Sequence, residues 1–122
     1  MFTGRFARHQ RLTRPSEFKQ VFARACKTGN QHLTLLCRQN DQDVARLGLA
    51  IAKRYISTAV ARNRVKRIVR TSFRQHQAEL SGLDIVVLGK TSAGQLSKQE
   101  LFSVLEKLWQ GLIKKCKDSS SP

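Results

Sequence analysis

The segment from residue 44 to residue 78 constrains the fold more than any other part of the chain. It contains nine Lys and Arg residues and no Asp or Glu. Residues within it recur at the i, i+3 and i+4 spacing of an amphipathic helix, which predicts a helix from about Thr58 to His76 with one buried face. The buried stripe consists of Val65, Ile68, Val69, Ser72 and Phe73, and the opposite face carries Arg62, Lys66, Arg70 and Arg74 at every fourth position.

The cationic face of this helix requires an anion to offset its self-repulsion. Like charges four residues apart destabilise a helix by a few tenths of a kcal/mol each, so a merely solvated face usually mixes Glu with Lys. The whole chain has the same bias, with 23 Lys and Arg against 8 Asp and Glu and a net charge of +15. Arg outnumbers Lys on the helix, which favours bidentate phosphate contacts. These features predict a nucleic-acid-binding protein.

An anionic membrane surface is the alternative partner of a basic amphipathic helix. A domain of 122 residues, however, needs the apolar stripe for its own core. No run of about 18 apolar residues occurs, so no spanning helix is predicted. We therefore expect no membrane partner.

The chain lacks the residue patterns of a self-sufficient nuclease. Its histidines, His9, His32 and His76, are scattered, with no Glu or Cys at metal-ligand spacing. The acidic residues are dispersed, so no paired-carboxylate metal site for phosphodiester cleavage is predicted. No Gly-rich phosphate loop occurs either. We predict neither a catalytic residue nor a metal site within the chain.

The three cysteines, Cys26, Cys37 and Cys116, are odd in number, widely spaced and without a CxxC pair. This pattern argues against a disulfide scaffold or a zinc site and favours a reducing cytoplasm. We expect all three to be bystanders.

Local patterns predict three helices and three strands in one α+β domain covering residues 1–122. The first helix begins near Pro15, with Thr13 or Arg14 as its cap, and continues to Ala25. Strands are predicted at 32–38, 46–52 and 84–89, the first two as an antiparallel hairpin, and a capping box at 97–100 opens the last helix. We expect a core at about 11–113, a basic arm at 1–10 and a flexible tail at 114–122.

Several segments, in order, resemble the protein subunit of bacterial ribonuclease P. Residues 61–70 (ARNRVKRIVR) are similar to the RNR signature of that family, and residues 47–54 (LGLAIAKR) to its glycine-containing strand that ends in two basic residues. Residues 11–22 resemble its N-terminal helix, and 84–88 (DIVVL) and 105–108 (LEKL) its last strand and helix. An RNR tripeptide alone is a weak signal, but this ordered set covers nearly the whole chain.

The resemblance implies a two-layer α+β sandwich of the ribosomal protein S5 domain 2-like class. The implied order is α-β-β-β-α-β-α, so one strand beyond the three predicted above is expected near 39–45. The small central sheet would contain a left-handed βαβ crossover, against the general right-handed rule.

The resemblance also implies two RNA-binding surfaces on a subunit that assists removal of the 5′ leader from precursor tRNA. Phe18 and Phe22, with the exposed sheet face, would line a cleft for the single-stranded leader, because aromatic stacking in a positive groove binds any sequence. Core packing is the alternative role for both rings. Mg²⁺ would be bound mainly by the catalytic RNA, with one protein per RNA. The residues that would face the catalytic RNA are Lys53, Arg54, Arg62, Asn63, Arg64, Lys66, Arg67 and Arg70.

Two other functions are compatible with so basic a chain. A small ribosomal protein or RNA chaperone would bind RNA without any link to cleavage, and composition alone does not separate it from a ribonuclease P subunit. A stand-alone nuclease would cleave RNA by itself in a metal-dependent reaction.

Overall fold

A computed structural model describes residues 11–23 and 26–117 of the chain. A 3-10 helical segment at Thr91–Gln95 precedes the last helix, and a π-helical segment at Ile113–Lys117 follows it. The main elements are α1 (Pro15–Ala23), β1 (Cys26–Gly29), β2 (Leu33–Gln39), β3 (Arg46–Ala50), α2 (Ala59–Gln75), β4 (Leu83–Gly89) and α3 (Lys98–Leu112).

The four strands form one mixed sheet with the order β1-β2-β4-β3. β1 pairs with β2 and β2 with β4 in antiparallel fashion, whereas β3 and β4 are parallel. Val87 in the middle of β4 lies opposite Leu35 on one side and Leu49 on the other. The apolar run of β4 suits this central position, because a strand covered on both faces needs apolar side chains in both directions.

The predicted hairpin of β2 and β3 is wrong, because β4 lies between the two strands. The other edge of β3 pairs with the chain that precedes α1, where the Leu12 amide donates to the Leu47 carbonyl at 2.8 Å. Alternating apolar residues predict where a strand lies but not which strand it pairs with. The order α-β-β-β-α-β-α is confirmed, and the hand of the β3–α2–β4 crossover stays a prediction.

The additional strand is β1, so its expected position near 39–45 is wrong. Residues 40–45 form a loop in which Asn40 Oδ1 accepts from the Gln42 amide at 2.8 Å. β1 was missed because its four residues alternate only between half-buried and exposed. The predicted extension of α1 to Ala25 falls outside the described residues, and α1 ends at Ala23.

The sheet carries α2 and α3 on one face and α1 on the other. Trp109 of α3 packs edge-on to Phe73 of α2 and donates from Nε1 to Ser72 Oγ at 2.8 Å, which explains why Ser72 occupies a core position. On the opposite face, Leu12 and Val21 pack against Val86 of β4. Each face of β4 therefore contributes to a separate apolar cluster.

The predicted capping box at the start of α3 is confirmed, and the structure adds a cap at the start of α2. Thr58 Oγ1 accepts from the Ala61 amide at the start of α2, and Ser97 and Glu100 form a reciprocal capping box at the start of α3. At the start of α1, Arg14 occupies the cap position, because its carbonyl accepts from the Phe18 amide at 3.3 Å. Glu17 Oε1 accepts from the backbone amides of Thr13 and Arg14. These hydrogen bonds lower the pKa of the Glu17 carboxyl group.

Helical structure continues past residue 113, the predicted boundary of the core. The π-helical segment Ile113–Lys117 continues α3, and Cys116 within it is buried. The remainder of the predicted flexible tail, residues 118–122, and the basic arm at 1–10 lie outside the described residues. No helix within the described ranges is long and apolar enough to cross a membrane.

The prediction that the three cysteines are bystanders is wrong. Cys26 of β1 and Cys116 form a disulfide across 90 residues of sequence, and Cys37 of β2 is a fully buried free thiol beside them. The spacing of the cysteines along the chain does not indicate that Cys26 and Cys116 pair, because the position of Cys26 depends on β1, which the sequence patterns do not predict. Burial raises the pKa of the Cys37 thiol to about 12.

His76 at the end of α2 connects two acidic side chains. Its Nδ1 lies 2.8 Å from Glu79 Oε1 and its Nε2 lies 2.9 Å from Glu106 Oε2 on α3. Burial opposes protonation of the ring, but the hydrogen bonds and charges of the two carboxylates outweigh it, so the pKa of His76 is raised.

We expect the unfolding free energy to fall as the pH rises from about 6 to about 8. A group whose folded-state pKa is raised stabilises the fold fully below its unfolded-state pKa, about 6.5 for His, and loses that contribution as the pH passes the folded-state pKa. Urea unfolding across this range measures the slope, and His76→Gln should flatten it. His32→Gln is the matched control, since His32 contacts Ser92 Oγ rather than a carboxylate. An unchanged slope in His76→Gln would contradict this assignment.

Candidate nucleic-acid interface

α2 presents the predicted cationic residues on the side opposite its buried stripe. Val65, Val69 and Phe73 are fully buried, so the rotation of the helix on the sheet is fixed. Asn63, Arg67 and Arg70 are exposed, whereas Arg62, Arg64 and Lys66 are half-buried. The structure therefore divides the predicted RNA-facing residues of α2 into an exposed group and a group that also contacts the rest of the fold.

Arg62 and Arg64 brace the first half of α2. Arg62 Nη1 donates to the carbonyls of Ile56 and Ser57 at 2.9 Å each, which holds the loop before the helix. Arg64 Nη2 donates to the Leu96 carbonyl at 2.6 Å, which ties α2 to the start of α3. A guanidinium carries several N–H donors, so these bonds leave capacity for a phosphate while limiting where each side chain can point.

Lys53 and Arg54 lie in the exposed turn between β3 and α2. The turn is closed by the Tyr55 and Ile56 amides, which both donate to the Ala52 carbonyl at 3.1 Å. The Arg54 guanidinium carbon lies 4.8 Å from the centre of the Tyr55 ring, and Tyr55 is 43% exposed. A cation stacked on an exposed aromatic ring offers both charge and a planar surface to a nucleotide.

A cavity of about 260 Å³ joins the two predicted RNA-binding surfaces. Lys66 and Arg70 of α2 line it together with Phe18 of α1, so residues predicted for the catalytic RNA and for the leader share one groove. Partial burial and then the charge of Arg11 lower the pKa of the Arg70 guanidinium. The full lining is Arg11, Leu12, Thr13, Phe18, Leu47, Leu49, Lys66 and Arg70.

Phe18 and Phe22 lie side by side along a second, more open groove of about 490 Å³, which we call the aromatic groove. Its other lining residues are Thr13, Pro15 and Lys19. Phe22 is 47% exposed, whereas Phe18 is half-buried. Gly48 allows the position of Phe18, because a Cβ at Gly48 would lie 2.8 Å from Phe18 Cζ. Phe18 thus packs on the sheet while lining both grooves, and Phe22 presents its ring to solvent.

A buried ion pair holds α1 in this position. Arg46 of β3 donates from Nε and Nη2 to the two carboxylate oxygens of Asp84 at 2.7 and 2.6 Å, and from Nη1 to Glu17 Oε2 at 3.2 Å. Asn40 Nδ2 donates to Asp84 Oδ1 at 2.8 Å. The hydrogen bond and charge of Asp84 outweigh the effect of burial and raise the pKa of Arg46. Because Glu17 is one residue from Phe18, the pair connects the aromatic groove to the sheet.

The structure adds three residues that the sequence did not single out as site residues. Arg11 lines the groove with Lys66 and Arg70, Lys19 lines the aromatic groove, and Tyr55 stacks under Arg54. Lys19 adjoins Phe18 and Tyr55 adjoins Arg54, so both could have been proposed from their neighbours. No sequence signal placed Arg11, because its position depends on pairing with β3.

Comparison with known proteins identifies the family. The family model described as Ribonuclease P matches residues 6–113. The chain is 50% identical over 114 residues to the ribonuclease P protein component of Pseudoalteromonas atlantica, covering 93% of this chain and 95% of that protein. It is 50% identical over 112 residues to that of Vibrio cholerae, covering 92% and 95%. The solved structure of the RNase P protein from Thermotoga maritima superimposes with a TM-score of 0.72 at 27% identity, over 80% of this chain and 93% of that one.

Proposed function

Because this chain belongs to the ribonuclease P protein family, we propose that its basic helix binds the catalytic RNA and that its aromatic groove binds the 5′ leader of precursor tRNA. A ribonuclease P protein component is a subunit of an endoribonuclease that matures the 5′ end of tRNA and whose RNA is catalytic. The observation that carries the proposal is the shared groove in which Lys66 and Arg70 lie beside Phe18.

The surface for the catalytic RNA consists of the exposed side of α2 and the turn before it. Asn63, Arg67 and Arg70 are exposed on the helix, and Lys53 and Arg54 extend the charge toward β3. Arg62, Arg64 and Lys66 supply charge from half-buried positions. Such a surface offsets phosphate repulsion without reading base sequence, which suits a folded RNA recognised through its backbone. One protein per RNA and a cytoplasmic location complete the proposal.

The leader binds where stacking and charge occur together. Phe22 offers an exposed ring, Phe18 a half-buried one, and Lys19 a cation in the same groove. Single strands are bound by this combination because every base has a face that can stack. Phe18 packs on Gly48 and lines both grooves, which supports a residue that takes part in core packing and in leader binding.

Mg²⁺ belongs to the RNA in this proposal. The groove between α1 and α2 is lined by Arg11, Lys66 and Arg70, and Glu17 nearby already pairs with Arg46. A cationic lining does not suit a hard divalent cation, which prefers carboxylate and phosphate oxygens. The chain's own contribution is to bind, orient and neutralise the RNA strands around the ion.

Cleavage of precursor tRNA at low Mg²⁺ tests the proposed function. We expect cutting at the mature 5′ end when a bacterial ribonuclease P RNA and this protein are both present, and little with either alone. Cleavage by the RNA-free protein would indicate a stand-alone nuclease. RNA binding without any stimulation of this cut would instead favour a ribosomal protein or RNA chaperone.

We expect Phe22→Ala to weaken holoenzyme binding of precursor tRNA by about 5-fold to about 150-fold, because stacking contributes about 1–3 kcal/mol per base. Affinity for mature tRNA, which lacks the leader, should not change. The measurement is a pair of equilibrium titrations with the two RNAs.

Tyr55→Ala is the matched control, since Tyr55 is exposed to nearly the same extent but lies in the turn before α2. It should leave the ratio of the two affinities unchanged. Equal losses for precursor and mature tRNA in Phe22→Ala would refute a leader-binding groove.

A further inference from the structure

Three cysteine sulfurs lie close together at one end of the sheet, near the C-terminal end of β2. Cys26 and Cys37 are directly opposite each other in the β1–β2 register, and Cys116 approaches them from the π-helical segment after α3. All three sulfur atoms lie within 4.8 Å of one another. A cavity of about 400 Å³ opens onto them, lined by Cys26, Cys37, Arg38, Gln39, Asp41, Leu83 and Cys116.

The disulfide alone does not account for this cluster. Cys26 and Cys116 form the bond, whereas Cys37 is a third, fully buried sulfur that the bond does not use. Thiol–disulfide exchange through Cys37 is disfavoured, because a deeply buried thiol is seldom ionised and the thiolate is the attacking species. A role that uses all three sulfurs together is binding of a thiophilic metal ion.

We propose that the reduced protein binds one thiophilic divalent cation of the Zn²⁺ type through Cys26, Cys37 and Cys116. The fourth position faces the cavity, where a water molecule completes a tetrahedron. The ion would connect β1, β2 and the segment after α3, which are the same elements that the disulfide connects in the oxidised protein.

The positions of the sulfurs suit such an ion. A tetrahedral zinc site with Zn–S bonds of about 2.3 Å places its sulfurs about 3.8 Å apart. The sulfurs here lie within 4.8 Å of one another, so shifts on the order of 1–2 Å, chiefly separation of the bonded pair, would give this geometry. Two of the ligands come from paired strands, whose backbone fixes the distance between Cys26 and Cys37.

The chemistry balances with an external thiol or phosphine as the reductant. Reduction transfers two electrons and two protons to the sulfurs of Cys26 and Cys116, and the reductant becomes its own disulfide or phosphine oxide. Coordination then releases three protons, one from each cysteine, because metals bind the thiolate form. Reoxidation would expel the ion, so disulfide and metal exclude each other.

Titration of the full chain with Co²⁺ and then Zn²⁺, after phosphine reduction under argon, tests the proposal. We expect one Co²⁺ per chain, with thiolate charge-transfer absorption and the visible bands of tetrahedral cobalt, displaced by one equivalent of Zn²⁺. A hundredfold excess of Zn²⁺ over its Kd should raise Tm by about 10 °C. Absence of stoichiometric binding would overturn the proposal.

Cys37→Ala separates a three-sulfur site from the disulfide pair. It should weaken metal binding at least about 100-fold while the oxidised variant, by thiol titration, still forms the Cys26–Cys116 bond. Cys37→Val preserves more of the buried volume and should give the same loss. Gln39→Ala, which changes the lining of the same cavity without removing a sulfur, should bind normally. Metal binding by both Cys37 variants that is as tight as binding by the wild type would refute the assignment.

Discussion

Raising the salt concentration from about 50 mM to about 200 mM is expected to weaken binding of this protein to ribonuclease P RNA about 300-fold. Each phosphate contact contributes a slope of about −0.7 to the dependence of log K on log salt, and about six contacts give this loss. The basic face of α2 and the turn before it supply enough cations for that number. Filter binding or fluorescence titration at several salt concentrations measures the slope.

Arg67→Ala should reduce the magnitude of that slope by about 0.7, the value of one contact. Lys107→Ala on α3 is the matched control, because it removes the same charge from an exposed helical position outside the proposed surface. Equal slopes for the wild type and Arg67→Ala would contradict the placement of RNA on α2.

Arg62 is a poorer probe of RNA contact than Arg67. Its side chain holds the Ile56 and Ser57 carbonyls, so Arg62→Ala removes a brace of the helix as well as a charge. A loss of RNA affinity in that variant would combine both effects. Arg67 is exposed, and its variant therefore reports the charge more directly.

The elements that the sequence predicted well are those with strong local signals. α2 and α3 have regular apolar stripes, α3 also has a capping box, and β4 has a continuous apolar run, so the sequence predicts the start of each to within about a residue. Strand partners depend on contacts far apart in sequence, which explains the wrong hairpin. β1 is four residues long and has no buried face, so it carries no strand signal in the sequence. It is defined by its pairing with β2.

The candidate site was predictable in its charges but not in its geometry. Clustered cations without acids indicated an RNA-binding helix, and the ordered motifs indicated the family. That Lys66 and Arg70 share a groove with Phe18 required the packing of α1 against β3. The acidic residues looked dispersed in sequence, yet Glu17 and Asp84 meet at Arg46 from positions far apart in the chain.

We expect Asp84→Ala to lower the free energy of unfolding by about 3–5 kcal/mol. The Asp84 side chain is only 1% exposed and pairs through both oxygens with Arg46, so its removal leaves a buried cation without its main partner. Urea denaturation followed by circular dichroism measures the change. Glu17→Gln, at the more exposed end of the same network, should cost less than about 1 kcal/mol. A loss that small in Asp84→Ala would contradict a structural role for the buried pair.

A double variant distinguishes stability from positioning. Replacing a buried ion pair by apolar residues of similar volume is often neutral, because the cost of desolvating both charges disappears with them. Asp84→Leu combined with Arg46→Met should therefore recover most of the stability lost in Asp84→Ala. Glu17 would still lack its partner, so α1 would no longer be tied to β3 beside Phe18. Recovered stability with a weakened preference for precursor over mature tRNA would show that the ion pair sets the position of the aromatic groove. Full recovery of the stability and of that preference would assign the position to apolar packing alone.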